Sequence, residues 1–296
     1  LILASRIDYK SVYLRLLKIN NHMIWQENNM KLGILATDIG PEMLVDQHGS
    51  FADMFVNLFS STDKGFEYQI YPVLDNIFPE SLDECDGWII TGSVDGVYDN
   101  LPWMEPLRQL IVQVHEQKRP MVGICFGHQI VADAMGGRVE KFSGGWSLGV
   151  QDYLIEGEHD FIPGGISRFA INAIHQDQVI EKPAVSERLA YSGFCSNAGL
   201  VYGEHIVTLQ GHPEFTQDYE RDLLNAKLET VFPEDIKQDA LESVDSKKLD
   251  SPKVAVWLAD FLENAHEAYQ EHQQAMKEQQ AAQKKAVQEE ADIVAA

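Results

Sequence analysis

The chain has 296 residues, 45% of them hydrophobic, which is enough to bury the core of one α/β domain of roughly 200 residues with appendages. Its 46 acidic residues outnumber 23 basic ones, and the formal net charge at pH 7 is -23. A field of that sign repels phosphate groups, so the composition argues against nucleic acid and anionic membranes as partners.

The first 30 residues mix basic and apolar side chains without the order of a signal peptide. We expect residues 1–30 to be an N-terminal extension, either unstructured or an amphipathic arm packed on the domain. Cys85, Cys125 and Cys195 lack the spacing of a metal site, and their odd number argues against a disulfide framework. We therefore expect a reducing, cytoplasmic compartment and neither a metal nor another cofactor.

From Lys31 onward, short apolar runs alternate with amphipathic stretches. Strands are predicted at 32–36, 68–71, 88–91 and 121–124, and helices at 51–59 and 103–116. This alternation predicts a parallel sheet that is covered by helices on both faces. Functional groups on such a sheet lie at the carboxyl ends of the strands, where we expect Gly92, Cys125 and His212.

The segment 123–127 (Gly-Ile-Cys-Phe-Gly) lies between an apolar strand and an apolar helix, which predicts a nucleophile elbow at Cys125. Such a strained turn needs Gly123 and Gly127 because their neighbours come very close. The helix N-terminus favours the thiolate, and the backbone N–H of Phe126 points to where an oxyanion would form. A small buried hydrophobic residue is the alternative for any cysteine.

Beyond residue 137 the pattern changes to strand pairs, at 149–155, 169–174 and 188–191, and to a hairpin at 199–210. We expect these to be an antiparallel extension and edge strands that bring the His212 loop over the elbow. Helices are predicted at 217–231 and 253–265. The last thirty residues indicate a solvated helix or a disordered tail, with a partner-binding helix as the alternative.

His212, in the sequence Gly-His-Pro-Glu at 211–214, is the candidate base and acid. Glu214 can accept a hydrogen bond from one ring nitrogen of His212 and so fix the tautomer. The chain order Cys125, His212, Glu214 differs from that of α/β-hydrolases, in which the acid precedes the histidine. A metal site is a poor alternative, because this His and Glu supply too few ligands.

The motif Gly-Ile-Cys-Phe-Gly-His-Gln at 123–129, with the distant Gly-His-Pro-Glu, resembles the class I, triad-type glutamine amidotransferases. The similarity runs from about Lys31 to Leu224 and is closest to the free-standing, GMP-synthase-like amidotransferases and the related γ-glutamyl peptidases. It implies a flavodoxin-like three-layer α/β sandwich with a mostly parallel central sheet, an antiparallel extension and C-terminal helices. We divide the chain accordingly into an extension (1–30), an amidotransferase domain (31–232), a helical appendage (233–265) and a polar tail (266–296).

By resemblance, Gly92 and Ser93 supply the second part of an oxyanion hole together with Phe126, and Gln129 contacts the glutamine part of the substrate. Three further residues match segments that hold the α-amino and α-carboxyl groups: Ser147, Leu148 and His175. The segment 143–146 (Ser-Gly-Gly-Trp) departs from the Ser-Ser-Arg-Glu type of the biosynthetic members, which leaves the far end of the substrate open.

The resemblance implies that Cys125 attacks the γ-amide carbon of glutamine or of a γ-glutamyl compound and forms a γ-glutamyl thioester. One interpretation is a glutaminase that passes ammonia to an acceptor enzyme. No nucleotide-binding motif follows Leu224, so we expect such a synthase to be a separate chain. The alternative is a stand-alone γ-glutamyl peptidase or hydrolase. A non-catalytic binding protein fits less well, because Cys125, His212 and Glu214 are all present.

Overall fold

The computed structural model describes residues 29–226 and 232–295. The sequence predictions for residues 1–28, and the predicted end of the helix at 227–231, fall outside the described residues. Within the described ranges no helix combines the length and the apolar character needed to cross a membrane.

Eleven strands lie in the described part of the chain. Nine form one sheet in the order β2-β1-β3-β4-β11-β10-β9-β6-β7, and β5 pairs with β8 in a small second sheet. The strands are β1 (Lys31–Leu35), β2 (Glu67–Tyr71), β3 (Gly87–Ile90), β4 (Met121–Ile124), β5 (Arg138–Lys141), β6 (Ser147–Ile155), β7 (Arg168–His175), β8 (Asp177–Glu181), β9 (Glu187–Tyr191), β10 (Gly199–Tyr202) and β11 (Ile206–Leu209). The five strands from β2 to β11 in this order are parallel, and the remaining four pair antiparallel.

The helices of the described residues are α1 (Glu42–His48), α2 (Phe51–Ser60), α3 (Met104–Glu116), α4 (Phe126–Ala134), α5 (Gln217–Asn225), α6 (Glu234–Ser246) and α7 (Ser251–Ala295). Local sequence explains several of their starts. Ser50 and Asp53 form a capping box at α2, and the side chain of Thr216 caps α5. The helix predicted from Gln217 thus begins where expected, but α5 ends at Asn225.

Two hydrophobic clusters cover the two faces of the sheet. Successive strand residues alternate between them: Ile89 belongs to the cluster that contains α2 and the start of α7, and Ile90 to the cluster that contains α3 and α4. This alternation follows from the period of two in a strand. The α/β fold with a mostly parallel central sheet and helices on both faces, predicted from the sequence, is confirmed.

The position of β11 differs from the prediction that the 199–210 hairpin belongs to the antiparallel extension. Although β11 pairs antiparallel with β10, its other edge pairs parallel with β4, and all four of its residues are buried. A strand that is buried on both faces belongs in the middle of a sheet rather than at its edge. Leu209 therefore lies opposite Ile124, directly before the two functional motifs.

The first part of α7 packs on the sheet through Trp257, Leu258, Phe261 and Leu262, all buried. From Glu271 to Lys284 the side chains are almost all exposed, yet the helix is continuous. The helix predicted at 253–265 therefore continues as a 45-residue helix, in line with the solvated-helix alternative for the last thirty residues, because the Gln, Ala, Lys and Glu that follow have high helix propensity.

Candidate active site

Cys125 lies in the strained turn between β4 and α4. Its backbone angles are φ 53° and ψ -104°, and the left-handed region is rarely adopted by residues other than glycine. The two glycines beside it are required by close packing. A Cβ on Gly127 would lie 2.5 Å from the carbonyl oxygen of Ile90, and one on Gly123 would lie 2.7 Å from that of Gly127. The cysteine thus sits at the N-terminus of α4, where the dipole favours a negative charge.

His212 follows β11 and is held on three sides. Its backbone N–H donates to the carbonyl of Asn172 at 2.7 Å, and its Nδ1 lies 2.7 Å from Oε1 of Glu214. The imidazole also stacks on the ring of Phe215, with centroids 3.9 Å apart and planes 9° apart. Because a carboxylate only accepts, Nδ1 carries the proton. Nε2 is buried and has no hydrogen-bond partner among the described residues.

The charge state of His212 is set by its two neighbours. Burial alone opposes a charged imidazole, but the charges of Glu214 and Cys125 outweigh it and hold the pKa of His212 well above its ordinary value. Glu214 acts strongly because its own side chain has no exposed surface. A protonated imidazole beside a thiol stabilises the thiolate by charge.

Gly92, at the carboxyl end of β3, lies close to both Cys125 and His212. A Cβ at this position would lie 3.0 Å from Cε1 of His212 and 3.7 Å from Cβ of Cys125. The carbonyl of Gly92 accepts a hydrogen bond from Oγ1 of Thr37 at 2.8 Å. The adjoining loop is tied to the end of β1, since Asp38 accepts a hydrogen bond from the backbone N–H of Val94 at 3.1 Å. The carboxyl ends of the neighbouring strands β3, β4 and β11 therefore bring Gly92, Cys125 and His212 together.

A cavity of about 680 Å³ lies at these strand ends, and its lining includes Ser93, Cys125, Gln129, His175 and His212. The backbone N–H of Phe126, the first residue of α4, has no acceptor within the helix. Among the described residues, no three His, Cys, Asp or Glu side chains are grouped so that they could hold a metal ion.

Gln129 and His175 share one anchor in the cavity wall. Nε2 of Gln129 donates to the carbonyl of Asp177 at 3.0 Å, and Nδ1 of His175 donates to the same carbonyl at 3.1 Å. Burial lowers the pKa of His175 to about 3, so its imidazole is neutral at physiological pH. The acceptor Nε2 of His175 is buried and has no partner in the described part of the chain.

Ser147 and Leu148, which the sequence also nominates for substrate binding, begin β6. Ser147 lies opposite His175 in the pairing of β6 with β7. Both residues line a separate cavity of about 220 Å³ and do not appear in the lining of the larger one. Their role in binding stays a prediction.

Sequence reasoning missed Gln210 and Phe215, two residues that contact the side chains of Cys125 and His212, respectively. Nε2 of Gln210, at the end of β11, lies 3.8 Å from Sγ of Cys125, and its Oε1 accepts a hydrogen bond from Gln129 at 3.2 Å. Phe215 supplies the surface on which His212 stacks. The position of Gln210 at the carboxyl end of a central strand was the available signal, but it depended on placing β11 beside β4.

A parallel sheet whose strand ends bring a strained cysteine and a histidine–glutamate pair to one cavity defines the structural class. The family model described as glutamine amidotransferase class-I matches residues 43–230. The chain belongs to the class-I glutamine amidotransferase family.

Individual relatives agree with this family. γ-Glutamyl peptidase 5 of Arabidopsis thaliana is 28% identical over 229 residues, which are 74% of this chain and 90% of the relative. A glutamine-hydrolyzing GMP synthase subunit of Methanococcus maripaludis is 36% identical over 96 residues, which are 32% of this chain and 50% of that protein. The crystal structure of a glutamine amidotransferase from Thermotoga maritima superposes with a TM-score of 0.59 at 21% identity, covering 82% of this chain and all of that one, and it shows the same fold.

Proposed function

We propose that this chain hydrolyses the γ-amide bond of γ-glutamyl compounds with Cys125 as nucleophile. The observation that carries the proposal is the cluster at the strand ends: a cysteine at φ 53° on a helix N-terminus, beside a buried histidine that is hydrogen-bonded to a buried glutamate. A packed core needs none of these features at this position. Together they are what thiolate chemistry requires.

In the first step, the Cys125 thiolate attacks the γ-carbonyl carbon while His212 is protonated. The tetrahedral intermediate then collapses: the carbon–nitrogen bond breaks, His212 gives its proton to the departing nitrogen, and a γ-glutamyl thioester remains on Cys125. In the second step, His212 takes a proton from water and the resulting hydroxide attacks the thioester carbon. The carbon–sulfur bond then breaks, glutamate leaves, and the Cys125 thiolate beside a protonated His212 is restored. Glu214 keeps the imidazole in the orientation and charge state that both steps need.

The developing oxyanion is stabilised by backbone N–H groups of Phe126 and of the loop at Gly92 and Ser93. Supporting this role, Gly92 lies against both Cys125 and His212, and its peptide is fixed through Thr37. Preorganised donors of this kind contribute roughly 3 kcal/mol each in related chemistry.

The glutamyl part of the substrate binds beside Gln129 and His175, with Ser147 and Leu148 supporting the wall behind His175. The first two line the cavity that contains Cys125, and both are anchored on Asp177. We also propose the domain division given above; the family match at 43–230 lies within the amidotransferase domain assigned to residues 31–232.

Stand-alone hydrolysis of γ-glutamyl amides or peptides is favoured by the extent of similarity, because the γ-glutamyl peptidase match covers 90% of that relative. A second candidate is a glutaminase that supplies ammonia to a separate synthase. This candidate is supported by the similarity to the glutamine-hydrolyzing GMP synthase subunit, which is 36% identical but over a shorter stretch of the chain.

The test is amine release by the purified chain alone, with glutamine in one arm and a panel of γ-glutamyl dipeptides in the other. Turnover of the dipeptides above that of glutamine supports stand-alone hydrolysis, and turnover of glutamine alone supports the ammonia-supplying role. The variant Cys125→Ala provides the background. If neither substrate class gives more amine than this variant does, the proposed function is wrong.

A further inference from the structure

The large cavity that contains Cys125 has a strongly acidic lining. Four aspartates line it: Asp38, Asp95, Asp99 and Asp177, which together we call the acidic wall. They come from three separate segments, after β1, after β3 and at the start of β8. The same lining contains one lysine, Lys141, and no arginine among the described residues.

None of the four carboxylates of the acidic wall forms an ion pair within the described ranges, although the positive charge of Lys141 opposes the rise that burial causes in the pKa of Asp177. Burial raises the pKa of Asp38, although backbone N–H groups of Gly40 and Val94 hydrogen-bond to it. Burial raises the pKa of Asp95, and the negative charges of Asp38 and Asp99 add to that rise. The wall therefore holds negative charges that repel one another, and a cation placed between them would relieve that repulsion.

His175 gives a second, independent indication of the ligand. It is only 3% exposed, it lines the same cavity, and its Nε2 has no hydrogen-bond partner among the described residues. Because Nδ1 of His175 donates to the carbonyl of Asp177, Nε2 is a bare acceptor. A buried acceptor without a partner requires a donor, which an ammonium or amide N–H group would supply.

A bound γ-glutamyl group does not neutralise the negative charge of the acidic wall. It is a zwitterion with one ammonium and one carboxylate, so its carboxylate matches Lys141 and its ammonium matches one aspartate. Of the four carboxylates in the cavity lining, three then remain unmatched. The remaining part of the substrate is the amine that leaves when the thioester forms.

We propose that the acidic wall selects γ-glutamyl amides whose leaving amine carries a second, positively charged amino group, as in diamines and polyamines. This inference rests on the proposed function and names its substrate class. The reaction is unchanged: the carbon–nitrogen bond breaks, His212 protonates the departing nitrogen, and the distal ammonium keeps its charge throughout.

Asp95 is the residue that determines this specificity. It is half-buried in the cavity lining, and its carboxylate has neither a hydrogen bond nor an ion pair within the described residues. Asp38, in contrast, accepts hydrogen bonds from the backbone N–H groups of Gly40 and Val94, and Asp99 accepts one from that of Gly96. Replacing Asp95 by asparagine thus removes a charge without breaking a structural contact.

The experiment compares kcat/KM for three amides with the same glutamyl part and similar length: the putrescine mono-amide, the uncharged pentylamide and the anionic γ-aminobutyrate amide. We expect the putrescine amide to exceed the pentylamide by at least about tenfold, and the γ-aminobutyrate amide to fall below both. Salt near 1 M should reduce the first ratio towards unity, because the Debye length is then about 3 Å.

In Asp95→Asn we expect the ratio of kcat/KM for the putrescine amide to that for the pentylamide to fall about fivefold. Asp63→Asn is the matched control, since Asp63 is exposed and outside the cavity lining, and its ratio should equal that of the wild type. Hydrolysis of all three amides at similar rates overturns this inference and leaves the proposed function standing. No release of amine from any of them, from glutamine or from the dipeptide panel overturns both.

Discussion

The two sides of the cavity are built in different ways. On one side, Gly92, Cys125 and His212 follow three adjacent parallel strands; we call them the strand-end cluster, and its side chains are almost fully buried. On the other side, the acidic wall comes from the loops after β1 and β3 and from the first residue of β8, and its residues are half-exposed or exposed. The strand-end cluster is fixed by backbone pairing on either side. The carboxylates of the acidic wall are held only by a few hydrogen bonds, such as that from Tyr98 to Asp177, and the carboxylate of Asp95 by none within the described residues.

This difference indicates a division of labour. Groups that form and break bonds must be positioned to within a fraction of an ångström, which strand ends and a packed core provide. Groups that recognise a distant part of a substrate tolerate looser placement, and loops can vary without disturbing the sheet. Changes in the strand-end cluster should therefore reduce kcat, and changes in the acidic wall should alter KM or specificity.

The largest expected effect is that of Cys125→Ala. Without the sulfur no thioester can form, and we expect kcat to fall by at least about 10⁴-fold on any γ-glutamyl substrate. The fold should persist, because the smaller side chain fits the same turn, and circular dichroism checks this. Retention of even a tenth of the wild-type turnover in Cys125→Ala would contradict the assignment of the nucleophile.

His212→Asn and Glu214→Gln should differ in how far they reduce kcat and in how they change its dependence on pH. Loss of the base should cost roughly 10³-fold or more in kcat, and loss of the orienting carboxylate about 10- to 100-fold. Glu214 raises the pKa of His212, so removing its charge lets burial dominate and lowers that pKa. The alkaline limb of the kcat/KM profile should therefore shift to lower pH in Glu214→Gln.

To test this shift, kcat/KM is measured as a function of pH for both variants and for the wild type. The reverse order of severity, or an alkaline limb that stays in place in Glu214→Gln, would show that Glu214 does not set the charge state of the imidazole.

Gly92→Ala is next in size. The added methyl group would approach Cε1 of His212 to 3.0 Å, and the imidazole is already stacked on Phe215. The ring must then move by a few tenths of an ångström, and because a misplacement of about 1 Å costs about 100-fold in rate, we expect kcat to fall by roughly 3- to 10-fold. Gly164→Ala is the matched control, because a Cβ there meets no heavy atom within 4 Å, and its kcat should be unchanged. Equal activity of the two variants would mean that the site tolerates movement of His212.

The difference between the strand-end cluster and the acidic wall also explains which features could be predicted from the sequence. Cys125, Gly127, His212 and Glu214 lie in short motifs whose local backbone is dictated by nearby residues. Because functional groups on a parallel sheet gather at the carboxyl ends of its strands, their proximity could be predicted without knowing where β11 pairs. Gln210 and Phe215 were missed because their contacts depend on where β11 pairs. The charge of Asp38 and Asp95 in one cavity could not be foreseen either, since loops distant in sequence bring them together and no periodicity marks such residues.

The smallest expected effect lies in the acidic wall. Tyr98 donates a hydrogen bond to Oδ2 of Asp177 at 2.8 Å and is itself partly exposed. Burial raises the pKa of Asp177, and this hydrogen bond opposes the rise. Tyr98→Phe keeps the ring and removes only the donor, which is worth about 1 kcal/mol for a typical hydrogen bond. We expect KM for γ-glutamyl substrates to rise roughly two- to fivefold at neutral pH while kcat stays the same.

Acidic pH should enlarge this effect. Without the hydroxyl of Tyr98, the pKa of Asp177 rises further, so its carboxylate is protonated at a higher pH and loses its attraction for an ammonium group sooner. The KM of Tyr98→Phe should therefore diverge from that of the wild type as the pH falls. Tyr191→Phe, which removes a hydroxyl outside the cavity lining, should follow the wild type throughout. A loss of kcat in Tyr98→Phe at constant KM would mean that the acidic wall also positions the reacting atoms, and the two sides of the cavity would then not be separable.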